Sequence, residues 1–217
     1  MLGAAQAGFS RVIQLIQQFV PASRVNGAGK AETKTAKAIE SGHIDVLRWL
    51  INQNSDPMRL LPEDSVTIAA LHGHGGLVEF LLDIGMNIEA EGVFGSPLRT
   101  ACLLNRLPIV QILLGRGANI NACGSMGDAL HIASSKGYTS ILGVLIQEGA
   151  DVNHHTGFYG NALQAAAYNG HLPAVVLLLD AGADVHAPGY SKDMFHAATE
   201  AGHPDIVFLM LNRGYAP

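Results

Sequence analysis

The residues in this chain with chemistry to offer are ten histidines, two cysteines and one glycine-rich basic stretch. Gly27-Ala28-Gly29-Lys30 has the make-up of a loop that cradles phosphate on backbone N–H groups. That motif requires Gly where Arg24 stands and Ser or Thr where Ala31 stands, so no nucleotide site is assigned to it. His154, His155 and His186 are the metal candidates. Zinc holds its ligands at ~2 Å, whereas neighbouring packed elements stand roughly 8–10 Å apart, so these histidines do not make a set as they stand. There is no His-Glu-x-x-His and no Gly-x-Ser-x-Gly elbow. Cys102 falls among alanines in an apolar stretch and reads as a core residue rather than a nucleophile. The expectation is therefore no catalytic residues, no metal and no cofactor.

Composition narrows the rest. The chain is 48% apolar and 14% charged, which excludes disorder. Its net charge is −5, with Arg11, Arg24, Lys30, Lys34 and Lys37 gathered near the start and an acidic remainder. Five dispersed cations do not make a nucleic-acid footprint. Two cysteines are not a disulfide framework, there is no Asn-x-Ser/Thr acceptor, and no apolar run reaches the length of a membrane span. The expected setting is intracellular, cytoplasmic or nuclear, with no membrane partner.

The elements that position these residues recur. A Gly (often Gly-His), about three residues, and an apolar run appear at Gly42, Gly73, Gly137, Gly170 and Gly202, with Asn105 in the glycine place before Ile109 to Leu114 and a weaker copy at Gly8. After each run comes a phrase such as Gly117-Ala118-Asn119-Ile120 or Gly149-Ala150-Asp151-Val152-Asn153. Before each turn comes Ser96-Pro97-Leu98-Arg99-Thr100-Ala101, Asp128-Ala129-Leu130-His131-Ile132-Ala133, Asn161-Ala162-Leu163-Gln164-Ala165-Ala166 or Asp193-Met194-Phe195-His196-Ala197-Ala198.

These phrases, in this order and at a period near 33 residues, resemble the ankyrin repeat, whose signature is Thr-Pro-Leu-His-x-Ala. The run from Phe158 to Ala167 is similar in wording to ankyrin arrays of filamentous fungi. The resemblance implies an all-α ankyrin-repeat solenoid of about seven helix-turn-helix units with short β-turn fingers. The units fall at about 1–26 (a degenerate cap), 27–60, 61–92, 93–124, 125–156, 157–188 and 189–217. Ser96, Asp128, Asn161 and Asp193 are placed to cap the first helices, and the turn glycine, or Asn105, to end them in a left-handed conformation. The resemblance also makes His43, His74, His171, His203, His131 and His196 structural, bonding backbone or a neighbouring cap.

Such arrays bind on the concave surface formed by the fingers and the late part of each first helix. Mapped here, the partner-binding candidates are Leu71, His72, Leu103, Leu104, Ser135, Lys136, Phe158, Tyr168, Asn169, Tyr190 and Glu200. Phe94, Met126 and Tyr159, one place further along each finger, are expected to pack internally. The expected function is a protein-interaction module or scaffold whose partner is another protein. The alternatives are an enzyme or small-ligand protein using the groove as a pocket, or the sensor array of a larger multidomain signalling protein. The first unit reads as a cap; the last, with its apolar Ile206 to Leu211, reads as truncated or covered. The chain is expected to be monomeric or to self-associate weakly through that C-terminal repeat.

Overall fold

The computed structural model describes residues 35–52, 60–189 and 193–215. The unit at 1–26, the Gly8 copy, Gly27 to Lys30 and Tyr190 lie outside the described residues. Two compact units divide the chain, Met1–Pro97 and Leu98–Pro217. Among the described residues there are helices and turns and no strand; one antiparallel bridge joins Gly92 to Gly95.

The first unit contains a helical stretch at 35–40 and three further helices, α1 (Ile44–Asn52), α2 (Ser65–His72) and α3 (Gly75–Asp83). Its core is built of Ile39, Val46, Leu47, Val66, Ala69, Leu77, Val78 and Leu81. The second unit contains α4 (Pro97–Leu103), α5 (Leu107–Gly115), α6 (Ala129–Lys136), α7 (Thr139–Gln147), α8 (Ala162–Tyr168), α9 (Leu172–Asp180), α10 (Met194–Glu200) and α11 (Pro204–Asn212). First helices stack on first helices, with α8 between α6 and α10; second helices do the same, with α5, α7, α9 and α11 in succession. Alanines such as Ala133, Ala166 and Ala198, all fully buried, allow the close approach. Each inner face is shared between repeats, so stability comes from neighbour interfaces rather than from any one repeat.

The turns follow from local chemistry. After each first helix a left-handed residue reverses the chain, and the next N–H returns to a carbonyl five residues back. Thus His74 bonds Ala69, Arg106 bonds Ala101, Tyr138 bonds Ala133, His171 bonds Ala166 and His203 bonds Ala198, at 2.8–3.0 Å. Asn105 occupies this position with φ 55° and, among the described residues, is the one non-glycine with positive φ. The anticipated caps form at Asp128, Asn161 and Asp193, whose side chains accept the N–H of His131, Gln164 and His196 at 2.8, 2.9 and 3.0 Å. Ser96 departs from this expectation: α4 begins on the next residue, Pro97, as a cap at Ser96 requires, but the buried Ser96 hydroxyl has no hydrogen-bond partner. Along the second unit Asn121 accepts from the N–H of Asp151, and Asn153 from that of Asp184, a ladder joining successive finger bases.

Candidate partner-binding surface

The histidines of the turn phrase are structural linkers. Nε2 of His74 donates to the carbonyl of Glu40, that of His171 to Ser135 and that of His203 to Tyr168, at 2.9–3.0 Å. Each reaches back to the preceding repeat's turn, and the His171 and His203 bonds end on Ser135 and Tyr168, themselves candidate binding residues. His196 Nδ1 bonds its own cap, Asp193, at 2.8 Å. Asp193 is pushed up by partial burial, but the His196 backbone and imidazole outweigh this and hold the carboxyl below its usual range.

The fourth residue of each first-helix phrase positions the fingers. Thr67 donates from its hydroxyl to the Ala90 carbonyl, and Gln164 from Nε2 to Ala187, both at 2.6 Å. The finger glycines lie directly against these side chains: a methyl group at Gly92 would sit 2.6 Å from Thr67 Cγ2, and one at Gly157 2.6 Å from His131 Nε2. A methyl group would sit closer still to Arg99 at Gly124, and to Gln164 at Gly189. The glycines at 92, 124, 157 and 189 are thus packing positions. Their own period in the sequence was the signal that could have shown it.

Asp128 is the electrostatic centre of this packing. Its buried carboxylate takes the N–H of His131 on one oxygen and Nδ1 of His154 on the other, at 2.8 Å each. Burial pushes the His131 imidazole below its ordinary value, and the Asp128 charge offsets part of that. Burial, aided by the Asp128 charge, raises the Cys102 thiol well above its ordinary range, as befits a core cysteine. His155 Nε2 donates to the Pro188 carbonyl at 2.8 Å, so His154 and His155 each commit a nitrogen to protein bonds. Among the described residues no group of three or more His, Cys, Asp or Glu is placed to hold a metal.

The candidates divide between the two units. Leu71, half-buried, and His72, exposed, end α2 in the first. In the second, Leu103 and Leu104 are half-buried at the end of α4, Ser135 half-buried and Lys136 exposed at the end of α6, Tyr168 half-buried and Asn169 exposed at the end of α8, and Glu200 exposed at the end of α10. The leucines and Tyr168 are less open than a fully exposed stripe would be. Phe158 stands at a finger tip and is 65% exposed.

Phe158 and Tyr168 are brought together through Tyr159. The Tyr159 ring meets Phe158 edge-on at 5.2 Å between centroids, lies 4.8 Å from Tyr168, and stacks on His131 at 6.1 Å. Tyr159 therefore packs internally as expected. Phe94 and Met126 do not: each is 37% exposed. In their fingers, paired backbone bonds between Gly92 and Gly95 and between Gly124 and Gly127 close a four-residue turn. The finger at 156–160 is closed instead by Thr156 N–H on the Gly160 carbonyl, one residue wider. Phe94 and Met126, expected to pack internally, are thus exposed apolar residues, and Val93 at the tip of the same finger as Phe94 is more exposed still.

Set against known families, the sequence matches the description "Ankyrin repeats (3 copies)" over residues 36–124 and again over 130–217. The chain belongs to the ankyrin-repeat family. Its fold is the all-α repeat solenoid of that family, and ankyrin repeats are generally protein–protein interaction modules. No curated protein matches the chain. Among the described residues no helix is long and apolar enough to cross a membrane.

Proposed function

We propose that this chain is a scaffold that binds a partner protein on the surface made by its fingers and the ends of its first helices. The observation that carries the reading is Phe158, 65% exposed and set edge-on against Tyr159, whose ring in turn meets Tyr168. A rigid aromatic anchor loses little side-chain entropy on binding, and such anchors dominate interface energetics. Around it, Leu103 and Leu104 supply apolar area, and Ser135, Lys136, Asn169 and Glu200 a polar surround. Leu71 and His72 hold the equivalent positions on α2, and Tyr190 remains a candidate from the sequence. The same reading puts the protein in the cytoplasm or nucleus, where the unpaired Cys102 and Cys123 stay reduced.

The test is partner capture by the purified chain beside a triple variant, Leu104→Glu, Phe158→Ala and Tyr168→Ala, with circular dichroism to establish equal folding. A protein retained by the parent and lost by the folded variant supports the reading. Equal retention by both moves binding to another face.

A further inference from the structure

The finger that carries Phe158 rests on a histidine, whereas those at Gly92, Gly124 and Gly189 rest on Thr67, Arg99 and Gln164. The His131 ring is buried, stacks on Tyr159 and lies against Gly157. Its Nδ1 is buried and has no hydrogen-bond partner. A neutral imidazole carries one N–H and can leave its bare nitrogen there. A protonated ring carries N–H on both nitrogens, and Nδ1 then becomes a buried, charged donor with nothing to receive it. His154 and His155 differ. Each is at least half-exposed and already has a ring nitrogen on an acceptor, the Asp128 carboxylate and the Pro188 carbonyl, and protonation keeps both bonds.

We propose that His131 is an acid-sensitive latch on the Phe158 finger, and that protonating its ring lifts residues 156–160 off α6 and α8. The finger yields rather than α6, because α6 is held by its helical bonds, whereas Gly157 and Phe158 are exposed and the finger closes on a bond from the Thr156 N–H to the Gly160 carbonyl. Lifting gives both ring N–H groups to water. It also breaks the Tyr159 stack and so removes the edge on which Phe158 is set. The ionisable groups around the ring come from every side. Asp128 stands at the start of its own helix, α4 brings Arg99 and Cys102, the finger brings His154, His155 and Tyr159, α8 brings Tyr168, and α7 brings none. Of these, Asp128 favours the charged ring, and burial outweighs it and holds the imidazole below its ordinary value. The open finger returns the ring to about 6.5. Above that pH the ring is neutral in both states; below it the open form takes a proton that the closed form refuses, so opening rises by up to about tenfold per pH unit. The consequence for binding rests on the proposed partner surface: a partner seated on Phe158 is held at neutral pH and released on mild acidification.

The test is amide hydrogen exchange of the 217-residue chain read by NMR, each rate divided by the intrinsic rate of that amide at the same pH. On going from about one pH unit above 6.5 to about one below it, protection of the Thr156 amide should fall several-fold, up to about tenfold. The amides of Gly92 and Gly95, paired in the finger over Thr67, should keep theirs. His131→Gln, which installs the residue the next repeat carries as Gln164, should abolish the fall, and His155→Gln on the same finger should leave it in place. Circular dichroism establishes folding, and His131→Thr, the residue beneath the finger at Gly92, serves if the glutamine variant does not fold. Thr156 protection that ignores pH in the parent overturns the proposal. So does a fall that persists in the folded neutral variant, or an equal fall at Gly92 and Gly95. Partner capture at neutral pH tests the surface separately, so a failed latch leaves the surface standing, and a surface that binds nothing leaves the exchange result intact.

Discussion

A methyl group added at Gly137 and one added at Gly149 meet the same backbone and different neighbours. Both glycines are left-handed, with φ 70° and 87°. Alanine at Gly149 has nothing within 4 Å of its new carbon, whereas at Gly137 it lies 2.6 Å from Nδ1 of His171. That ring is not free to swing away, since its Nε2 holds the Ser135 carbonyl at 3.0 Å. Gly149→Ala should therefore cost only the left-handed strain of an L-residue, about 1 kcal/mol. Gly137→Ala should add the displaced ring and its lost hydrogen bond, for about 2–4 kcal/mol in all. At a urea slope of about 2 kcal/mol/M, the midpoint seen by circular dichroism falls by about 0.5 M in the first case and 1–2 M in the second. In a His171→Ala background the cost of Gly137→Ala should drop to about 1 kcal/mol, the level at Gly149. Equal losses at the two glycines, or an unchanged loss in the His171→Ala background, would refute the claim that His171 clamps the preceding turn.

Two further outcomes follow from burial. Cys102 is fully buried and Cys123 exposed, so a thiol reagent should label one cysteine in the native chain and both in denaturant; rapid labelling of both in native buffer would show that the first-helix core is open. His131 has its imidazole pKa depressed by burial, which keeps it neutral in the fold. Its contribution is then complete above the unfolded value of ~6.5 and is lost as pH falls from there through the folded value. His131→Gln should flatten the decline in urea midpoint on going from neutral to mildly acidic pH, and an identical decline in both chains would remove His131 as its source.

Much of this protein was legible from its sequence because the ankyrin repeat is made of local rules repeated. Capping residues, a left-handed turn residue and an apolar run act within a few residues of one another, so their spacing predicts helices and turns without reference to distant contacts. Asn105 shows the reach of that logic: its type alone placed it in the one turn that lacks glycine. The failures lie where the deciding neighbour is a repeat away. Nothing in Phe94, Met126 or Tyr159 says that one ring will lodge among His131, Phe158 and Tyr168 while the other two side chains face water. Finger width and the identity of the residue beneath decide it. Nor does the sequence say that His154 will reach Asp128, or that the finger glycines are small because Thr67, Arg99, His131 and Gln164 press against them. Sequence by itself determined the repeat, its caps and its turns. Tertiary structure decided which apolar side chains remain exposed, because exposure depends on what the neighbouring repeat covers.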